Sequence, residues 1–277
     1  MIRRAFTLIE LLTSIAILGI LSSIAVVSLS SSRIRAAIAR GLQFEASIQH
    51  AVGYDVVADW EFDDGAGTLA ADSSGNGKNA TLVNGPTWRC ASTDKSYTPS
   101  GQGCVLSFNG VNTYVSTAVS GVSDGTISLW FYNLSSSAGS VILGKRTPGC
   151  YSSAIYINNP PNSNDLRIYN GGPEVTIGAV NPNQWNHLAI VRTGAGAEAD
   201  FYVNGALVFK NAYALNLNDL VANIGASCTG ASPFHGYIDN IRIFSTALSA
   251  SRIDNLYAEE LPAHQSTPAS NIISFNY

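Results

Sequence analysis

The chain has 277 residues, a formal net charge of −4 and only 12% charged residues, about half the quarter usual for soluble proteins. That balance excludes nucleic acid as the main partner and shows no basic patch for a membrane surface. The length suits one membrane segment plus a single domain of about 200 residues.

A short basic leader, residues 1–5, precedes an apolar run from Phe6 to Leu29, which is interrupted by one ionisable residue, Glu10. A hydrocarbon core about 30 Å thick is crossed by about 20 helical residues, so the run is long enough to span a bilayer. It is too long for a secretory h-region, and no small-x-small cleavage site closes it. A carboxylate near the centre of such a helix costs about 2.5–3.5 kcal/mol. Glu10 sits near the start, where the cost is lower, but a retained charge there still calls for a partner.

From Ser30 to Val52 the pattern becomes amphipathic: Ile34, Ile38, Leu42, Ile48 and Val52 share one side, while Arg33, Arg40, Gln43 and Gln49 are polar. One helix is therefore predicted over residues 6–53, about 70 Å long, with Gly53 as its stop. Arg3 and Arg4 before the span are balanced by Arg33, Arg35 and Arg40 after it, so the positive-inside count leaves orientation open, and the leader motif and the cysteines decide for an exported C-terminal part.

Beyond Tyr54 the helical period disappears. Short β-branched and aromatic runs, bounded by Gly, Asn, Asp and Ser, predict strands at 55–62, 104–108, 125–132, 140–144, 154–157, 166–169, 185–191, 199–203 and 237–244. Asn204-Gly205 predicts a type I′ hairpin turn. Strands without interleaved helices argue for an antiparallel sandwich. A short helix is expected over 249–259 with Ser249 as N-cap, and residues 261–277 read as a tail or edge strand.

The four cysteines, Cys90, Cys104, Cys150 and Cys228, all follow the apolar run without a Cys-x-x-Cys pair. His50, His187, His235 and His264 lack zinc-ligand spacing. An even count in an exported domain predicts two disulfides, with three connectivities open. The favoured pairing is Cys90–Cys104 with Cys150–Cys228; free buried thiols are the alternative.

The chemical candidate is the loop Asp72-Ser73-Ser74-Gly75-Asn76-Gly77, whose clustered oxygens suit a hard cation such as Ca²⁺ in a structural role. The plain alternative is a turn held by Asx-type hydrogen bonds. Asp63 is a neighbouring candidate. The carboxylates Glu198 and Asp200 have no third partner along their strand, and no Ser-His-Asp order, HExxH or phosphate loop occurs, so catalysis is not expected. Trp60, Trp130 and Trp185 fall within strand motifs and read as core; Trp88, in an expected loop after Pro86, is the better candidate for exposure of the four, with packing still the favoured reading.

The segment Arg3-Arg4-Ala5-Phe6-Thr7-Leu8-Ile9-Glu10-Leu11-Leu12 resembles the leader and N-terminus of type IV prepilins and the pseudopilins of type II secretion. The resemblance implies cleavage by a prepilin peptidase between Ala5 and Phe6, methylation of the new amine, and pairing of Glu10 with a neighbouring subunit's N-terminus during assembly. Ala5 stands where the family usually has Gly, and the helix lacks the family's frequent mid-helix proline. Trp60–Thr68, Asp72–Leu82, Leu106–Gly110, Gln184–Ala189, Phe201–Gly205 and Gly236–Phe244 together resemble the laminin-G-like, concanavalin A-like jelly roll over most of residues 56–258. Relatives place a calcium near the Asp72 loop and the Asp of Gly-Tyr-Ile-Asp, here Asp239. The implied organisation is a leader at 1–5, a helix at 6–53 (transmembrane over 6–29), a β-sandwich at 54–260 and a tail at 261–277.

The expected function is a pilin-like subunit of a surface filament, held in the inner membrane as a precursor, with a lectin-like head for a glycan or glycoprotein. Its expected partners are identical or related pilin subunits. The alternative is a pseudopilin of a secretion or DNA-uptake machine; a membrane-anchored glycoside hydrolase is the third class.

Overall fold

The computed structural model describes Leu12, Thr13, Ile15 and Ile17, then residues 56–94, 97–120, 122, 124–134, 139–145, 153–158, 164–193, 198–211, 215, 217–227 and 232–264. The chain divides into two units, Met1–Tyr54 and Asp55–Tyr277. In the first, the four described residues are helical, and Leu12, Ile15 and Ile17 are each more than half exposed. Among the described residues no helix is long and apolar enough to cross a membrane. The expected span at 6–29, apart from those four positions, lies outside them, as do Ala5, Phe6 and Glu10.

The second unit is a sandwich of two antiparallel sheets. The first is ordered β14 (Ala206–Asn211), β13 (Glu198–Val203), β12 (Trp185–Thr193), β7 (Gly125–Asn133), β16 (His235–Phe244), β5 (Cys104–Asn109), β4 (Thr87–Cys90). The second runs β11 (Val175–Ala179), β10 (Asp165–Tyr169), β9 (Ala154–Asn158), β8 (Ser140–Gly144), β15 (Asn223–Ile224), β6 (Tyr114–Ser116), β3 (Ala80–Val83), β2 (Leu69–Ala70). Strand alternation sends Ile127, Leu129, Phe131, Leu188 and Ile190 from the first sheet into one shared core with Ile155, Ile157, Leu166 and Ile168 from the second.

β16 organises the first sheet. One edge pairs with β7 along its length; the other is shared, with β5 opposite His235–Ile238 and β1 (Val56–Trp60) opposite Ile241–Phe244. A bulge at Asn240, whose φ is 45°, resets the alternation between them. Because of it Ile238, Ile241 and Ile243 all point into the core while Asp239 and Arg242 share the outer face. The β7–β16 pairing is close: a Cβ on Gly236 would overlap the Tyr132 carbonyl, and one on Gly125 the Phe244 carbonyl.

The Asn204-Gly205 turn forms as expected, with φ of 50° and 79° and Val203 opposite Ala206. Two readings are corrected. Trp88 lies on β4 rather than in a loop, half-buried against Phe62, its indole N–H donating to the Gly67 carbonyl at 3.1 Å. The C-terminal helix runs from Ala250 to His264 through Pro262, so residues 261–264 are helical rather than tail or edge strand. Pro262 sits in the last turn, and the anchoring of His264, described below, holds that turn against the local preference to end before proline.

Candidate functional site

The Asp72 loop folds back on β1. Asp72 Oδ1 accepts from the backbone N–H groups of Asp59 (2.9 Å) and Ser74 (3.0 Å), and Oδ2 accepts from Lys78 N–H at 2.8 Å. Partial burial works against the charged form, but the hydrogen bonds from Ser74, Asp59 and Lys78 outweigh it and hold the carboxyl below the usual range. Asn76 donates its amide to the carbonyls of Val56 (2.7 Å) and Val57 (3.3 Å).

The other calcium candidates are elsewhere engaged. Asp63 Oδ1 accepts from Cys104 N–H at 2.6 Å, and Asp239 Oδ2 lies 2.9 Å from His264 Nε2. Among the described residues no group of three or more His, Cys, Asp or Glu is arranged to hold a metal ion. Both lone pairs of Asp72 Oδ1 are taken by N–H donors and Asp239 Oδ2 faces an imidazole, so the contacts of the Asp72 loop are those of a hydrogen-bonded turn.

The disulfide Cys90–Cys104 is formed between directly opposed residues of β4 and β5. Cys150 and Cys228 lie outside the described residues. Beside the disulfide is an open cleft of about 750 Å³ lined by residues 64–66, 90–92 and 101–104. A smaller hollow of about 180 Å³ adjoins Glu61, Asp63 and Asp64. Burial, then the neighbouring Asp59 carboxylate, pushes Glu61 above the usual carboxylate range. Asp64 accepts from Ala71 N–H at 3.2 Å, so this acidic run largely caps backbone donors. On β13, Glu198 is exposed and Asp200 pairs with Lys210 at 3.2 Å.

The densest polar chemistry is under the C-terminal helix, on the outer face of the first sheet. Glu260 accepts from the Trp130 indole N–H at 2.6 Å and pairs with Arg242 at 2.7 Å; Arg242 also pairs with Asp59 at 3.2 Å. The His264 ring stacks on Trp130 with centroids 4.2 Å apart and planes within 2°, and meets Trp185 edge-on at 5.0 Å. Burial pushes Asp239 up to about 6 despite the His264 hydrogen bond. Burial holds His187, fully enclosed with Nε2 2.8 Å from Ser128 Oγ, down to about 3. Trp130 and Trp185 are buried as expected, but beneath a helix instead of between the sheets. Sequence reasoning missed Glu260, Arg242, His187 and His264. The available signal was Arg242, a lone cation in the apolar run Ile241–Phe244.

Residues 108–254 match the concanavalin A-like lectin/glucanases superfamily, which is more than half of the chain. The chain belongs to that superfamily. Residues 1–26 carry the prokaryotic N-terminal methylation motif, which makes the N-terminus type IV pilin-like. No curated protein matches the sequence. Among solved structures, the sandwich is similar to domain 4 of AbnA, a GH43 extracellular arabinanase from Geobacillus stearothermophilus, in complex with arabinotriose. Identity there is 18% over 74% of this chain and 98% of that one, with a TM-score of 0.54. It is also similar to the Trypanosoma rangeli sialidase (16% identity, 76% and 34% coverage, TM-score 0.55). A third is the binding domain of botulinum neurotoxin DC in complex with SialylT (13%, 74% and 51%, TM-score 0.52). The chain spans about half of the neurotoxin domain and a third of the sialidase. At these identities the likeness is one of fold.

Proposed function

We propose that this chain is a type IV pilin-like subunit whose head binds a glycan or glycoprotein without turning it over. The observation that carries the reading is the joining, in one chain, of a methylation motif at residues 1–26 to a concanavalin A-like domain. The motif supports peptidase cleavage before Phe6 and assembly with related subunits, Glu10 pairing with a neighbouring amine because opposite charges in lipid are each costly alone. Carbohydrate-bound neighbours of the same fold, one with arabinotriose and one with SialylT, support a sugar as the ligand class. The proposal of no turnover is supported by the carboxylates Asp59, Asp63, Asp64 and Asp200, each engaged by a cation or a backbone amide, and the sugar-release assay tests the remaining Glu61 and Glu198.

The full chain, purified in detergent, is to be applied to a glycan array while reducing-sugar release is assayed. Bound glycan without released sugar is the expected result. Released sugar would place the chain among the hydrolases. Failure to bind, with secretion or DNA uptake lost on deletion, would favour the pseudopilin. Mass spectrometry of the assembled protein should show an N-methylated Phe6, and Glu10→Ala should block assembly; an intact Met1 in filaments would overturn the pilin reading.

A further inference from the structure

A sugar-binding sandwich has two outer sheet faces on which to hold a ligand, and here one of them is occupied. The aromatic surface of the first sheet, Trp130 and Trp185, is covered by Tyr257, Leu261 and His264 of the chain's own helix.

The outer face of the second sheet is different. Leu166 and Ile168 point into the core, so Asp165, Arg167 and Tyr169 of β10 point outward. The same argument places Tyr156 outward from β9, between the core residues Ile155 and Ile157, and Thr176 outward from β11. The register sets Arg167 directly between Tyr156 and Thr176. Its guanidinium meets Asp165 and Glu174, each at 3.5 Å, with side-chain exposures of 28%, 30% and 51%. Ion pairs this long and this exposed contribute little to stability. Their planar, multidentate groups can instead exchange partners with paired hydroxyls. Beneath them Tyr156 is 8% exposed, and its hydroxyl makes no full-strength hydrogen bond, lying only in the wider reach of Glu174 and Arg167. A buried hydroxyl held this loosely gains from a better-placed partner. It is the donor that an incoming hydroxyl would satisfy.

We propose that this Arg167-centred face of β9, β10 and β11 holds a neutral, hydroxyl-rich sugar. The proposal rests on the glycan-binding reading of the head and deepens it by naming the site and the class. Neutrality follows from charge: one guanidinium between two carboxylates leaves a local charge of −1, which repels a sugar acid. Tyr169, half-buried on the same face, adds aromatic surface for the apolar side of a pyranose or furanose ring.

The test uses the full chain in detergent and an array of neutral and sialylated oligosaccharides, comparing the parent with Tyr156→Phe and Arg167→Met. Neutral oligosaccharides should bind the parent, about tenfold more weakly in Arg167→Met and several-fold more weakly in Tyr156→Phe. Tyr156→Phe removes a loosely held hydroxyl and keeps the ring, so its melting temperature should hardly change. That separates lost binding from lost folding. Undiminished neutral-sugar binding by both variants would overturn this site while leaving the glycan reading intact. Binding of sialylated sugars alone would overturn the neutral class. No binding by the parent to any oligosaccharide would overturn both proposals.

Discussion

The two outer faces of the sandwich begin from the same rule, in which alternate residues of each strand turn away from the core. On the first sheet those residues are Trp130, His187, Asp239 and Arg242, and the chain returns after β16 to cover them with a 15-residue helix. On the second sheet they include Tyr156, Arg167 and Tyr169, and among the described residues only Tyr156 of the three is buried. The contrast teaches that strand patterning supplies two chemically active faces, and the segment following the last strand decides which is spent on stability. Trp130 stacked on His264 is the kind of aromatic surface a lectin offers to a sugar, yet here it is internal.

The sharpest way to break this contrast is to remove the acceptor that fastens the helix. Glu260→Ala should destabilise the head by about 3 kcal/mol, since it leaves the Trp130 N–H buried without a partner and Arg242 with Asp59 alone. Denaturant titration of the full chain reads this directly. The opposite face predicts no such penalty: Glu174→Gln should change stability by less than about 0.5 kcal/mol, its ion pair being long and exposed. A comparable loss from both would mean that the two faces are equally structural.

Acid should sharpen the contrast next. His187 is held near 3, so below its unfolded value of about 6.5 the unfolded chain takes up a proton that the native chain refuses. Stability from this group is present above pH 6.5 and lost as pH falls towards 3. Asp239 acts in the opposite sense. Raised to about 6, it is protonated in the native state before the unfolded one, so its contribution grows as pH falls from 6 to about 3.8. The two largely cancel in that window, and burial raises Asp59, Glu61 and Glu260 in the same direction as Asp239. Asp239→Asn should therefore expose the histidine, adding an acid loss of about 1.4 kcal/mol per pH unit between pH 6 and 4 relative to the parent. Melting curves at pH 7, 6, 5 and 4 measure it, and parallel curves for variant and parent would refute it.

Much of the sandwich was readable because its longer strands carry their own pattern. β7, β12 and β16 combine β-branched and aromatic residues over nine or ten positions, and Asn204-Gly205 announces its turn through φ. The unread strands are mostly those where pattern has little length to appear: β2 and β15 have two residues each, β6 three, β3 four and β11 five, while the six-residue β14 was implied only through its turn. β4 hides behind Pro86, where a tryptophan and an arginine read as loop. The network beneath the helix was out of reach for another reason. Trp130 and Glu260 are 130 residues apart, and no local preference encodes their meeting. The Asn240 bulge added to this, since period-2 counting through β16 puts Arg242 and Ile241 on each other's faces. Asp72 was found, but its surroundings were not, because the amides that fill its oxygens belong to Asp59, Ser74 and Lys78.

That surrounding makes a smaller prediction. Asp72→Ala removes one acceptor for three backbone donors in a partly exposed loop, at a cost of about 1–2 kcal/mol. The loss should be the same with calcium or with chelator. A melting temperature of the parent that drops on chelation, with Asp72→Ala indifferent, would restore the cation expected from the sequence.

The smallest effect lies at the start of the covering helix. Ser249 is its N-cap, with Oγ accepting from Arg252 N–H at 3.3 Å, and Arg252 occupies the position where the capping box has Glu. Arg252→Glu would supply the reciprocal acceptor for the Ser249 N–H and place a negative charge in the first turn, both favourable by a few tenths of a kcal/mol. The same change breaks the pair of Arg252 with Glu259 at 3.0 Å and sets two carboxylates against each other. That pair is exposed on the Glu259 side, where side-chain exposure is 44%, and is worth no more than the cap returns. The expected shift in stability is within about 0.5 kcal/mol of zero, becoming more favourable as salt screens the new repulsion. Thermal melts at low and high ionic strength test this. A loss above about 1 kcal/mol that salt does not reduce would show that Arg252 holds the helix through packing, and that the seal on the first face begins at its first turn.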